Sequence, residues 1–248
     1  MNYKAKLYPM AFNPLLVEPY RPLPREVAII GAGAIGPDIG YYFKSALPEI
    51  KLLLVDIIEE PLKNAEKRIQ GYTEKAVARK KMKEEVAKRV LENITYTTDY
   101  AQIKNCDLVI EAATENLSLK QKIFAQIEGV VGEDAIITSN TSSIPAERLF
   151  QQVKRPGRCT ITHFFGPAWR NPAVEVIRWE KAEQKVVDYL FWMFCATGKV
   201  PIITADAICF VLDRIFDNWC NESAYMLDIA TASQIDKVAE EFLSLIHI

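Results

Sequence analysis

Residues 26–43 read EVAIIGAGAIGPDIGYYF and residues 51–60 read KLLLVDIIEE. The first stretch passes from an apolar, β-branched run through a glycine-rich turn into a helix start. The second is another apolar run that ends at Asp56. Gly31, Gly33 and Gly36 fit G-x-G-x-x-G between a strand and a helix. In that pattern the first glycine permits a tight turn and the second lets the backbone approach a pyrophosphate. The third lets helix and strand pack closely, with the helix N-terminus facing the phosphates. Ala34 and Ile35 complete the turn. Asp56 stands about 20 residues on, at the end of the next strand, where a carboxylate takes ribose hydroxyls. The same acid repels a 2′-phosphate, and Ile57 and Ile58 offer no cation to bind one. The expected cofactor is therefore NAD rather than NADP.

Working outward, the pattern repeats. ITYTTD (94–99), DLVIEAA (107–113), DAIITSNTSS (134–143), RCTITHFF (158–165), AVEVIRW (173–179) and KVPIITAD (199–206) read as short strands. Helical patterns cover 60–92, LSLKQKIFAQIEGV (117–130) and a segment near 182–197. Apolar strands alternating with helices predict an α/β fold, a Rossmann-type doubly wound, mostly parallel sheet covered on both faces. From about Ala207 the pattern changes. Residues 208–232 read as one long amphipathic helix, and the polar residues at 232–234 open a shorter one, the start of an all-helical second domain. The expected division is an extended arm over 1–25, a nucleotide-binding domain over 26–205 and the beginning of a helical domain over 206–242. The last six residues, LSLIHI (243–248), follow a polar helical pattern with no cap or turn. They are expected to be foreign to the natural chain, which would continue.

The totals exclude several classes. The chain has 248 residues, half of them hydrophobic, and a formal net charge of −2. That charge leaves no footprint for nucleic acid or an acidic membrane surface, and no apolar run approaches the ~20 residues that cross a bilayer. The five cysteines, 106, 159, 195, 209 and 220, form no CxxC pair. They suit reduced, buried thiols in a cytoplasmic protein rather than disulfides or a metal site.

Histidine is scarce: His163 and, in the distrusted tail, His247. His163 ends one apolar strand, and Glu175 lies twelve residues on inside the next, with FFGPAWRNP around the turn between them. A histidine near neutrality can take the proton of an alcohol while hydride leaves carbon, and return it in the reverse direction. A carboxylate on its other ring nitrogen fixes the tautomer and stabilises the imidazolium. The plainer alternative is a satisfied core histidine. Ser142, in SNTSS, reads either as a substrate contact or as a cap before the helix beginning near Pro145. The run KAVARKKMK (75–83) is either a solvated helix face or a grip for phosphates. Phe210, Phe216, Trp219 and Tyr225 are expected to be core or dimer interface rather than ligand contacts. Asp38 adds negative charge beside the proposed phosphate site, for which the sequence offers no account.

Taken in order, AIIGAGAIG (28–36), VD (55–56), EAATEN (111–116), SNTSS (139–143), HFFGP (163–167), VEVI (174–177) and GKVPIITAD followed by FVLDR (198–214) resemble the L-3-hydroxyacyl-CoA dehydrogenase family. The resemblance covers about residues 26–242 and implies NAD-dependent oxidation of a 3-hydroxyacyl-CoA to the 3-ketoacyl-CoA. It makes His163 the catalytic histidine, Glu175 its partner and Ser142 a hydrogen-bond donor to the reacting oxygen. It also makes Glu115, Lys120 and Asn140 contacts around the nicotinamide half, and implies an acyl-CoA partner, no metal, and a homodimer for the full-length protein. Arg79 and Lys80 become candidates for phosphates of coenzyme A. Three places depart from the family's common pattern. Gly166 and Asp213 stand where asparagine is usual, and Ile208-Cys209 where Pro-Gly is usual. The family's asparagine at position 213 positions the substrate near its thioester, and a carboxylate donates no such bond unless protonated. Either the substrate sits differently, or Asn218 or Asn221 compensates, or activity is reduced. A dehydrogenase of small hydroxy acids without CoA, or a weakly catalytic NAD- or acyl-CoA-binding protein, are the alternatives.

Overall fold

The computed structural model describes residues 15 and 17–243. The expectations for residues 1–14 and 16, and for residues 244–248 of the distrusted tail, lie outside the described residues. The strands are β1 (Glu26–Ile30), β2 (Lys51–Val55), β3 (Ile94–Thr97), β4 (Leu108–Glu111), β5 (Ile136–Ser139), β6 (Cys159–Phe164), β7 (Ala173–Arg178) and β8 (Val200–Ala205). They form one sheet in the order β3-β2-β1-β4-β5-β6-β7-β8. The first six run parallel. β7 is antiparallel to β6, and β8 follows β7.

The unbroken apolar runs follow from burial on both faces. Val27, Ile29, Leu52, Leu54, Leu108 and Ile110 enter one core. There they meet helices α1 (Gly36–Ala46), α2 (Glu59–Ala78) and, further along the chain, the helix Gln184–Ala196. Ala28, Ile30, Leu53, Val55, Val109 and Ile137 enter the other, against the helix Leu117–Val130 and the short turn Ala146–Leu149. Alternate residues of each strand thus serve opposite cores, as the period of two requires.

The turn after β1 is sterically closed to side chains at two glycines. Gly31 has φ +108°, and a Cβ there would lie 2.6 Å from the Ala112 carbonyl oxygen. A Cβ on Gly36 would lie 1.9 Å from the Gly31 oxygen. Pro37 takes the first turn of α1, where its missing N–H costs nothing.

Asp38 does not face the phosphate site. It is buried, pairs with Arg68 Nη2 of α2 at 2.7 Å and accepts the Tyr72 hydroxyl at 3.0 Å. Arg68 Nη1 in turn donates to the Ala34 carbonyl at 2.7 Å. The charge that sequence left unexplained therefore ties α2 to the glycine turn. Burial raises the Asp38 carboxyl above its ordinary value, and Arg68 and Tyr72 oppose this.

Two helical expectations are corrected. Residues 60–92 are not one helix: α2 ends at Ala78 and α3 (Glu84–Leu91) begins after a break at 79–83, where Lys80 has φ +56°. Five cations crowd residues 75–83, and the chain turns at their densest point. The next helices are α4 (Leu117–Val130), α5 (Ala146–Leu149) and α6 (Gln184–Ala196). The long helix expected over 208–232 begins only at Leu212. It is α7 (Leu212–Tyr225), followed by a 3₁₀ turn at Met226–Asp228 and by α8 (Ala232–Leu243). Residues 207–211 are irregular because Cys209 (φ +59°) and Phe210 (φ +45°) occupy the left-handed region. That conformation suits glycine, so Cys209→Gly is expected to stabilise the protein by about 1 kcal/mol. Thermal unfolding should show a midpoint about 2–4 °C higher.

Phe210 enters the second core, whereas Phe216, Trp219 and Tyr225 are exposed on α7, which buries none of its residues. Cys106 and Cys159 are buried as expected, but Cys195 and Cys209 are half-buried and Cys220 is exposed. All five thiols are free. Of the 1–25 segment, residues 17–25 carry no strand. They pass the amino ends of β4 and β5 and are tied there through Arg21, which pairs with Asp107 at 3.3 Å and donates to the Asp134 carbonyl. Among the described residues, no helix is long and apolar enough to cross a membrane.

Candidate active site and nucleotide cleft

Six parallel strands present their carboxyl ends along one edge, where ligands of open α/β sheets collect. At the β1/β4 reversal of strand order the edge opens into a cleft of about 620 Å³. Gly31, Gly33, Ala34, Ile35, Asp56 and Thr114 are among its walls. Gly33 lies open, with nothing among the described residues within 4 Å of where a Cβ would stand, so backbone there is free to meet a ligand closely. The N-terminus of α1 points its free N–H groups toward the same turn. Asp56 shapes the rim: one oxygen accepts the Ala32 N–H at 2.8 Å and the other accepts Ile58 N–H at 3.2 Å. An open glycine, a helix N-terminus and a half-buried carboxylate on one cleft suit a dinucleotide.

Beside the cleft, the ends of β4 and β5 carry a buried polar network. Glu111 and Lys120 are both buried and pair at 2.7 Å. Glu111 also accepts Ser139 Oγ–H at 2.5 Å and Ala113 N–H at 2.7 Å. Lys120 reaches Glu115 at 3.2 Å, and Glu115 accepts the hydroxyls of Thr141 and Ser143. Burial pushes the Glu115 carboxyl up, but the Thr141 hydrogen bond and Lys120 outweigh it and hold the group below the ordinary carboxylate range. Asn140 Oδ1 accepts the Phe164 N–H at 2.8 Å, which joins this network to the strand bearing His163. Glu111, the centre of the network, was not singled out in the sequence. Its only signal was an acid ending an otherwise apolar strand.

His163 and Glu175 are directly opposed across the antiparallel β6–β7 pair. Both are buried, and His163 Nδ1 lies 2.8 Å from Glu175 Oε2. The other Glu175 oxygen, Oε1, accepts the N–H groups of Val211 and Leu212, each at 3.0 Å. Burial would raise the Glu175 carboxyl, yet the His163 hydrogen bond and these two backbone donors together hold it below its ordinary range. A carboxyl whose folded value is depressed adds stability at pH above its unfolded value and loses it as the pH falls through the lowered folded value. Wild type should therefore lead Glu175→Gln in urea-unfolding free energy at neutral pH, and the gap should close in acid below the ordinary carboxylate range. A gap independent of pH would rule out this ionised partner.

The remaining sequence candidates are placed as follows. His163 Nε2 faces Asp213 Oδ2 of α7 at 3.6 Å. Burial raises the Asp213 carboxyl, His163 lowers it and Glu175 adds to the rise. Ser142 is exposed and makes no hydrogen bond among the described residues. α5 is preceded by Pro145 without a side-chain cap, so a cap role for Ser142 is not seen. Arg79 and Lys80 sit exposed in the α2–α3 break. The nucleotide cleft does not include them. Asn218 and Asn221 are exposed on α7. No group of three or more metal-ligating side chains occurs among the described residues.

Near the dyad, the segment after Phe165 is held by a residue that sequence reading passed over. Lys199 Nζ is buried and donates to the carbonyls of Ala168 and Asn171, the latter at 2.5 Å. It lies 4.5 Å from the centre of the Tyr42 ring. Desolvation lowers this amine to about 8.

The family described as 3-hydroxyacyl-CoA dehydrogenase, NAD binding domain, matches residues 26–207. The fatty acid oxidation complex subunit alpha of Colwellia psychrerythraea is 36% identical over 217 residues, 87% of this chain but 30% of that protein. The chain thus spans under a third of the length of the curated relatives it matches. Among solved structures, (S)-3-hydroxybutyryl-CoA dehydrogenase from Ralstonia eutropha superposes with a TM-score of 0.80 at 32% identity, covering 88% of this chain and 77% of its own. The 3-hydroxybutyryl-CoA dehydrogenase of Escherichia coli gives 0.79 at 32% identity, over 83% and 43%. The chain belongs to the 3-hydroxyacyl-CoA dehydrogenase NAD-binding domain family, and NAD is its cofactor.

Proposed function

We propose that this chain carries out reversible hydride transfer between NAD and a 3-hydroxyacyl-CoA, with His163 as general acid–base and Glu175 as its partner. The observation that carries the reading is the buried cross-strand pair at 2.8 Å, on the same sheet edge as the dinucleotide cleft. NAD, when bound, accepts the hydride in oxidation and returns it in reduction. In oxidation Nε2 of His163 takes the hydroxyl proton, while Glu175 keeps the proton on Nδ1 and stabilises the imidazolium. In reduction the proton goes back to the carbonyl oxygen. Ser142, free of other partners among the described residues, donates to that oxygen. Asp56 takes the adenosine ribose, the backbone of Gly31 to Gly36 takes the pyrophosphate, and Glu115, Lys120 and Asn140 border the nicotinamide. The exposed cations at Arg79 and Lys80 supply charge for coenzyme A phosphates. The exposed aromatic face of α7 supports a protein contact there, in keeping with a homodimer of the full-length protein.

The test is NADH consumption with acetoacetyl-CoA by the purified protein. Turnover that depends on acetoacetyl-CoA is the expected result. NADH binding without turnover, unchanged by His163→Gln, would favour a binding protein instead.

A further inference from the structure

The two ring nitrogens of His163 meet two different carboxylates. Glu175 occupies Nδ1, so Nε2 is the nitrogen left for a substrate oxygen. The ring is buried and flanked by Phe165, with centroids 4.4 Å apart, and Phe210, at 5.7 Å. Asp213 Oδ2 stands 3.6 Å from Nε2, beyond a direct hydrogen bond but too near to be ignored by anything that bonds Nε2. A substrate oxygen within about 3 Å of Nε2 brings the carbon that bears it, and the next group along, close to this carboxylate. Among the described residues no lysine or arginine pairs with Asp213; its one ion-pair partner is His163.

We propose that Asp213 sets the substrate class of this site, admitting a reacting end that is uncharged or offers a hydrogen-bond donor and rejecting one that carries a carboxylate. This rests on the hydride-transfer reading above. A 3-keto or 3-hydroxy thioester is uncharged next to its reacting carbon, whereas the corresponding free acid places a second negative charge beside Asp213. At such separations in a partly wet site, like charges cost about ten- to a hundredfold in rate; the side chain is 31% exposed, which keeps the effect below the dry-interior limit. The amide of the same acid is uncharged and presents N–H donors, which a carboxylate accepts and a thioester lacks.

The experiment uses three 3-keto compounds with one skeleton: the N-acetylcysteamine thioester of acetoacetate, acetoacetamide and acetoacetate itself. NADH-linked reduction is measured for wild type, Asp213→Asn and Asp213→Ser, with NADH affinity followed by fluorescence. The asparagine variant keeps the shape and removes the charge; the serine variant removes both. The acetoacetate-to-thioester ratio of kcat/KM is expected to rise about ten- to a hundredfold in both variants, and the amide-to-thioester ratio to fall. Unchanged ratios with thioester turnover intact would overturn the proposal and leave the dehydrogenase reading standing. No turnover of any compound, acetoacetyl-CoA included, by proteins that bind NADH would overturn both.

Discussion

Replacing His163 with glutamine is expected to lower kcat/KM for acetoacetyl-CoA reduction by about a thousandfold, with NADH affinity unchanged. Glutamine fills a similar volume and retains polar atoms for Glu175, but it cannot shuttle a proton at neutral pH. His163 lies on β6, away from the walls of the nucleotide cleft, so the loss should fall on the chemical step. Steady-state kinetics with a fluorescence titration of NADH separates the two. Activity within tenfold of wild type would remove His163 from the mechanism. Loss of NADH affinity in step with activity would assign it a structural part instead.

The second large effect concerns stability. Lys120→Met is expected to destabilise the protein by about 3–5 kcal/mol, because it leaves Glu111 buried without its cation. Both side chains are almost wholly inaccessible, at 1% and 0% exposure, and water cannot screen the remaining charge. Ser139 and the Ala113 N–H still donate to Glu111 and keep the loss finite. The double variant Glu111→Gln/Lys120→Met should recover much of the stability, since neither charge is then left alone. Urea unfolding of the two single variants, Lys120→Met and Glu111→Gln, and of the double gives the coupling energy. Purely additive effects would show that the pair does not act as a unit.

The nucleotide half of the fold was legible because its determinants are local. Four apolar residues (Val27 to Ile30), a glycine turn and an acid at the end of the next strand lie within residues 26–56, and each needs only its neighbours in sequence to be understood. The His163–Glu175 spacing was also readable, because two strands joined by a short loop place residues in register by counting. What escaped depends on distance along the chain. Asp38 meets Arg68 and Tyr72 thirty or more residues away, so its role could not be read beside Pro37. Glu111 acquires meaning only when β5 brings Ser139 against it. The start of α7 was placed too early because residues 208–211 are apolar and suit a helical face, while the left-handed backbone at Cys209 leaves no trace in side-chain periodicity. The break at 79–83 was hidden for the same reason: the charges there continue a helical pattern that the backbone abandons.

Glu175 spends one oxygen on the imidazole and the other on the first N–H groups of α7. A single carboxylate therefore makes the state of the ring and the seating of a helix thermodynamically linked quantities. By reciprocity, whatever fixes the helix on that oxygen alters the free energy of proton transfer at the ring, and whatever occupies the ring alters how firmly the helix is held. Amide exchange at Val211 and Leu212 would then serve as a remote gauge of the imidazole, read in the backbone of a different element.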